Sequence, residues 1–148
     1  MGAARILVVD DSTADVSLLR VALNQQNEPY ELEVIKTAEE ALAFVQERKD
    51  GFHAGLHDGL HDEDPCVILL DLHLPRYDGI TILKAIKQAP VLSHVHVMVL
   101  SGIATPQEQF KIATMGALYR QKPSNLDGYL DLGAEIFAVC ADSGKVAA

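Results

Sequence analysis

Short runs of apolar residues recur along the chain and indicate its secondary structure. Three of them, residues 6–9, 66–70 and 95–100, are almost unbroken and rich in β-branched side chains. Because strands buried on both faces lack polar alternation, these runs predict inner strands of a parallel sheet. Residues 31–36 and 117–121 are less apolar and predict two weaker strands, so we expect five strands.

Between the predicted strands, apolar residues recur every three or four positions, which is typical of amphipathic helices. Two helix starts carry a capping box, Thr37 with Glu40 and Thr105 with Glu108. A last helix is expected from Ser124 or Asn125 to about residue 141. The alternation of strands and helices predicts an α/β fold: a doubly wound (βα)5 parallel sheet, flavodoxin-like, in the order 2-1-3-4-5.

Length and charge narrow the class of protein. A chain of 148 residues fits one domain, so we predict a single domain over residues 1–148. Its 12 basic and 21 acidic residues give a net charge of −9, which disfavours binding to nucleic acid or anionic lipid. Neither a signal peptide nor an apolar run of membrane-spanning length is recognisable, so a cytoplasmic location is expected. Cys66 and Cys140 lie among apolar residues and are predicted to be separate buried thiols.

One acid-rich stretch, residues 50–64, interrupts the alternation of strands and helices. It contains His53, His57 and His61 at fourfold spacing, which on a helix would present one face to a metal ion. Three glycines at the same spacing disfavour a helix, so we predict a flexible surface insertion. The tail, residues 142–148, is expected to be frayed.

Reactive polar residues follow the strongest strands: Asp10 and Asp11 after the first, Asp71 after the third, Ser101 after the fourth, and Lys122 after the fifth. In a doubly wound sheet these strand ends meet at the ligand-binding edge. Carboxylates in close proximity repel one another, and a divalent cation with a preference for oxygen ligands, such as Mg²⁺, relieves the repulsion. A lysine and a hydroxyl beside them would stabilise a phosphoryl group on a carboxylate.

Further motifs accompany these strand-end residues. In chain order, the complete set is Asp10-Asp11, Asp71-Leu72-His73-Leu74-Pro75, Asp78-Gly79, Ser101, Tyr119 and Lys122-Pro123. Together they resemble the receiver domain of two-component response regulators. The resemblance extends over about residues 5–140, and it implies a phosphoacceptor signalling protein whose chemistry is limited to its own phosphorylation and dephosphorylation.

By this resemblance, Asp71 takes a phosphoryl group from the phosphohistidine of a histidine kinase. Mg²⁺ would be held directly by Asp11, Asp71 and the backbone carbonyl of His73, with Asp10 acting through a water molecule. Lys122 would bind a phosphoryl oxygen.

The resemblance also assigns a switch. Ser101 would be the switch hydroxyl and Tyr119 the aromatic side chain whose rotamer follows it. The Lys122-Pro123 bond would be cis. The end of the sequence and the position of the insertion are similar to single-domain receivers paired with phytochrome-type histidine kinases, so such a kinase is the expected partner.

Two other functions are alternatives to a phosphoacceptor receiver. A pseudo-receiver that only binds proteins would not need the complete set of acids, hydroxyl and lysine. A Mg²⁺-dependent aspartyl phosphatase of the haloacid-dehalogenase type needs a second acid two residues after the nucleophile, where this chain has His73.

The last predicted helix is apolar over about half of its circumference. Docking on the sheet needs only part of that arc, so we expect an exposed apolar strip that includes Phe137 and Val139. Two-fold pairing is the commonest way to cover such a strip, so the sequence predicts a homodimer through this helix.

Overall fold

Five parallel strands with helices on both faces make up the protein, for which the computed structural model describes residues 2–53 and 64–142. The elements are β1 (Ala4–Val9), α1 (Thr13–Asn24), β2 (Tyr30–Ile35), α2 (Ala38–His53), β3 (Val67–Asp71), α3 (Gly79–Lys87), β4 (His96–Ser101), α4 (Pro106–Thr114), β5 (Leu118–Gln121) and α5 (Leu126–Asp142), with a 3-10 turn at Pro90–Leu92.

The strand order is β2-β1-β3-β4-β5, with every neighbouring pair parallel. The predicted flavodoxin-like (βα)5 fold is therefore confirmed. The three nearly apolar runs form the inner strands, and the two weaker runs form the edges. Each observed strand boundary lies within two residues of the predicted one.

The core consists of two apolar layers, one on each face of the sheet. Side chains alternate across a strand, so Leu7 and Val9 of β1 face α2, α3 and α4, whereas Ile6 and Val8 face α1 and α5. Residues of β1 and of β3 contribute to both layers, so these two strands lie in the middle of the molecule. No helix in the two described ranges is long and apolar enough to cross a membrane.

Both predicted capping boxes mark helix starts. The Thr105 hydroxyl accepts from the Glu108 N–H at 3.1 Å, and the Glu108 carboxylate accepts from the Thr105 N–H at 2.8 Å. Thr37 likewise accepts from the Glu40 N–H at 3.1 Å, directly before α2. These side chains satisfy backbone donors that a helix start leaves without partners.

The predicted bounds of the insertion, residues 50–64, are wrong at both ends. Residues 50–53 continue α2, since extending an existing helix costs little once it is nucleated. Asp64 is buried, with an oxygen 3.6 Å from Nε of Arg48, and therefore belongs to the packed lead into β3. The rest of the insertion, with His57 and His61, and the tail beyond Asp142 lie outside the described residues.

The prediction of two separate thiols is also wrong. Cys66 and Cys140 form a disulfide, with Cα atoms 5.2 Å apart. The start of β3 and the last turn of α5 pack in the same apolar layer, so the two side chains meet although 74 residues separate them.

The apolar face of α5 is covered within the chain. Its buried residues are Tyr129, Leu132, Gly133, Ile136, Phe137 and Cys140, and Val139 is half-buried against the same layer. Among the residues described, the exposed large hydrophobic side chains all lie on other elements. The expected exposed strip is therefore not found, because α1 and the sheet together cover more of α5 than the sequence suggested.

Removal of the link between β3 and α5 should lower stability and leave the fold intact. We expect Cys140→Ala to lose about 2–4 kcal/mol of unfolding free energy, because the closed loop no longer restricts the unfolded chain. Urea denaturation with and without reductant measures the loss, and the Cys140→Ala midpoint should not respond to reductant. If reductant leaves the midpoint of the unmodified protein unchanged, the pairing is contradicted.

Candidate functional site

The carboxyl ends of β1 and β3 bring three carboxylates together. Asp10 and Asp11 directly follow β1, and Asp71 is the last residue of β3. One carboxylate oxygen from each lies within 4.8 Å of the other two. Asp10 and Asp71 are only 4% and 6% exposed, whereas Asp11 is exposed. These three side chains, the acidic cluster, form a group of hard oxygen donors open to solvent on one side.

Burial controls the electrostatics of Asp71. It raises the pKa of this carboxyl above its ordinary value, and the negative charge of Asp10 acts in the same direction. The His73 N–H, which donates to Asp71 Oδ1 at 3.0 Å, and the positive charge of Lys122 oppose the rise without cancelling it. The hydrogen bond and the positive charge that the chain supplies therefore compensate the negative charge of ionised Asp71 only in part.

Lys122 supplies the positive charge of the site. It follows β5 directly, and its Nζ lies 2.8 Å from Asp15 Oδ2, 3.0 Å from Asp10 Oδ2 and 3.5 Å from Asp71 Oδ2. Burial alone would lower the pKa of Lys122, but the hydrogen bonds to Asp15 and Asp10 and the surrounding carboxylates raise it. The ammonium is therefore a fixed charge at neutral pH.

Ser101, the last residue of β4, is buried at the same edge of the sheet as Asp71 and Lys122. Its hydroxyl donates to the Ile103 carbonyl oxygen at 2.6 Å, and Nε2 of His73 lies 3.0 Å from the same oxygen. The carbonyl oxygen of Ser101 accepts from the Lys122 N–H at 2.9 Å and from the Tyr119 hydroxyl at 3.2 Å. Ser101, Tyr119 and Lys122 thus share a single carbonyl group.

Comparison with known families identifies the class of domain. A model of the response regulator receiver domain matches residues 6–128. The chain belongs to this family. Its receiver fold and its place among two-component signalling proteins confirm the resemblance found in the sequence.

Curated relatives include two response regulators. Response regulator Rcp1 of Synechocystis sp. (strain ATCC 27184 / PCC 6803 / Kazusa) is 36% identical over 96 residues, which are 65% of this chain and 60% of Rcp1. Response regulator PleD of Caulobacter vibrioides (strain NA1000 / CB15N) is 32% identical over 100 residues, 68% of this chain and 18% of PleD. The receiver thus spans less than two thirds of the length of these relatives.

Solved structures show the same fold at near-full coverage. The crystal structure of the phosphorylated cyanobacterial phytochrome response regulator RcpA matches with a TM-score of 0.74 at 29% identity over 91% of both chains. The Mn²⁺-bound form of Rcp1 matches with a TM-score of 0.72 at 29% identity, over 91% of this chain and 92% of that chain. The acidic cluster of this receiver offers the oxygen donors that divalent cations prefer.

One member of the site, Asp15, was missed by the sequence reading. It lies in the first turn of α1, one turn beyond Asp11, and it makes the shortest of the three contacts to Lys122. An acid in the first turn of a helix is ordinarily explained by the helix dipole. The available signal was its position four residues after Asp11, in the first turn of the helix that follows β1. This position places Asp15 at the same end of the sheet as Asp11.

Gly79 allows α3 to start against the end of β3. A Cβ at this position would lie 2.7 Å from the Leu72 Cα and 2.9 Å from the Asp71 carbonyl oxygen, so a larger residue would displace the strand end. The Gly79 N–H donates to the Leu72 carbonyl at 2.9 Å, and Asp78 caps the helix. The Asp78-Gly79 pair of the sequence motif thus fixes the backbone that carries Asp71.

The expected cis bond before Pro123 is wrong. The described residues contain no cis peptide, so Lys122-Pro123 is trans. The trans form is the lower in energy, and from it Lys122 Nζ already reaches Asp10. Gly128 accommodates the turn, since a Cβ there would lie 2.7 Å from the Pro123 Cβ.

Proposed function

We propose that this receiver accepts a phosphoryl group on Asp71 from the phosphohistidine of a sensor histidine kinase and thereby changes its protein contacts. The observation that carries the proposal is the convergence of the acidic cluster, within 4.8 Å, with the Lys122 ammonium 3.5 Å from Asp71. In the transfer, an Asp71 oxygen forms the new P–O bond while the P–N bond of the donor imidazole breaks.

The residues around Asp71 suit this reaction. Lys122 neutralises negative charge on a transferred phosphoryl oxygen, because its Nζ already lies beside the accepting carboxylate. The His73 N–H holds Asp71 Oδ1, which orients the carboxylate and leaves Oδ2 on the side of Lys122. A fixed carboxylate orientation lowers the entropic cost of the in-line attack.

The proposed cation is Mg²⁺, which carboxylate oxygens suit and which retains several waters in such sites. When bound, it supplies positive charge to the phosphoryl oxygens. Of the two acids after β1, Asp11 is exposed, whereas buried Asp10 accepts from the Ser12 N–H at 2.9 Å and from Lys122 at 3.0 Å. We therefore assign direct contact to Asp11 and contact through water to Asp10, and the family resemblance supports direct contact by Asp71 and the His73 backbone carbonyl.

The proposed switch connects Ser101 with Tyr119. In the described state the Ser101 hydroxyl donates to Ile103, so contact with a phosphoryl group requires it to release that carbonyl. The Tyr119 hydroxyl donates a hydrogen bond to the carbonyl oxygen of Ser101, so the Tyr119 side chain would respond to that movement. Phosphorylation would then change the surface around β5 and α4.

The partner and the location belong to this proposal. We infer a phytochrome-type histidine kinase from the likeness to RcpA, a phytochrome response regulator. A cytoplasmic location agrees with the need for a phosphodonor made from ATP. The net charge of −9 disfavours nucleic acid as a partner. The homodimer through α5 stays a prediction, without an exposed strip to support it.

The metal assignment predicts unequal effects of the two adjacent acids. Asp11→Asn should weaken Mg²⁺ binding by about 100-fold, and Asp10→Asn by about tenfold, the size typical of losing an outer partner. Calorimetric titration at neutral pH measures both. Asp131→Asn, a change at an exposed acid of α5, is the control. Unchanged Mg²⁺ affinity in Asp11→Asn would contradict the assignment.

The phosphoacceptor is tested with acetyl phosphate and Mg²⁺, followed by intact mass. We expect one added phosphoryl group on the unmodified protein and none on Asp71→Asn, because the amide lacks a nucleophilic oxygen. Asp131→Asn should be phosphorylated as the unmodified protein is. Undiminished phosphorylation of Asp71→Asn would overturn the proposed function.

A further inference from the structure

The carboxylate nearest to the Lys122 ammonium belongs to Asp15, outside the acidic cluster. The distance from Nζ is 2.8 Å to Asp15, against 3.0 Å to Asp10 and 3.5 Å to Asp71. Asp15 is not among the residues grouped as possible metal ligands. Its charge therefore remains available to Lys122 when a cation engages the cluster.

Two further residues, Ser12 and Tyr129, lie near Asp15. Its N–H donates to the hydroxyl of Ser12, the N-cap of α1, at 3.2 Å, which fixes its backbone. Its carboxylate lies near Tyr129, a residue of α5 that is only 2% exposed and whose pKa the negative charge of Asp15 raises. Asp15 and Tyr129 line the same small pocket beside Asp10. The contact between Asp15 and Lys122 thus joins the start of α1 to the end of β5.

The charge states of these groups agree with a lasting contact. Burial alone would raise the pKa of Asp15, but the hydrogen bond and the charge of Lys122 outweigh it and leave this pKa below its ordinary value. Burial and the negative charge of Asp15 raise the pKa of Tyr129 to about 12. Tyr129 therefore keeps its proton at neutral pH and adds no negative charge beside Asp15.

We propose that Asp15 is a positioning residue, which holds the Lys122 ammonium beside Asp71 while a divalent cation occupies the acidic cluster. A cation held directly by Asp71, and through water by Asp10, competes with Lys122 for those carboxylates and repels Nζ. Asp15, whose N–H donates to the Ser12 hydroxyl at 3.2 Å and whose carboxylate lies 2.8 Å from Nζ, offsets this repulsion. The inference rests on the proposed phosphoacceptor role of Asp71.

The first test compares phosphorylation rates with acetyl phosphate at saturating Mg²⁺. Asp15→Asn keeps the backbone cap and removes the charge, and we expect its rate to fall about tenfold as Lys122 loses its position. Asp131→Asn, with the same change of charge on an exposed part of α5, should match the unmodified protein.

A double-mutant cycle separates positioning of Lys122 from a general effect on the site. In the Lys122→Gln background, Asp15→Asn should cause no further loss of rate, because the side chain that Asp15 holds is gone. If Asp15→Asn lowers the rate tenfold in both backgrounds, Asp15 acts independently of Lys122 and the proposal is wrong.

A readout apart from phosphorylation is the reactivity of Lys122 toward an amine-specific reagent, with Mg²⁺ and without phosphodonor. Peptide mapping should show Lys122 protected in the unmodified protein and labelled at least about fivefold faster in Asp15→Asn, with Lys84 unchanged. Equal labelling of Lys122 in both proteins would overturn the proposal. The labelling result does not depend on phosphorylation. A protein that takes no phosphate disproves the role of Asp71, whereas the labelling still shows whether Asp15 holds Lys122.

Discussion

The site depends on the electrostatic balance between three carboxylates and one ammonium. Asp10, Asp11 and Asp71 lie close enough for strong mutual repulsion, and two of them are buried. Lys122 neutralises only part of this charge, and burial still raises the pKa of Asp71 above its ordinary value. The fold thus maintains a deficit of positive charge, which a bound divalent cation would offset when negative phosphoryl oxygens enter the site.

The sheet brings these charges together. The order β2-β1-β3-β4-β5 makes β1 and β3 neighbours, so their carboxyl ends deliver Asp10, Asp11 and Asp71 to one point. The Ser101 carbonyl at the end of β4 then fixes both the Lys122 backbone and the Tyr119 hydroxyl. A movement of Ser101 would be felt by both of these residues through a single oxygen, which gives the proposed switch a short physical path.

The sequence predicted the fold and most of the site because both follow from local patterns. Nearly continuous apolar runs are typical of buried parallel strands, and the reactive residues directly follow them. Other features depend on contacts between distant segments. Cys66 meets Cys140 across 74 residues, and Asp15 meets Lys122 across 107. Neither pairing leaves a local signature, and Asp15 has an ordinary explanation as an acid at a helix start. The covered face of α5 was missed for the same reason, since helical periodicity does not reveal how much surface α1 buries.

The central claim is that Asp71 accepts the phosphoryl group, while a divalent cation and Lys122 offset its negative charge. The most direct measurement treats the protein with acetyl phosphate and Mg²⁺, reduces the acyl phosphate with borohydride, and sequences the peptides by mass spectrometry. The account predicts conversion to homoserine at position 71 alone, in a Mg²⁺-dependent manner. Conversion at position 10 or 11, or no conversion at any aspartate, would contradict it.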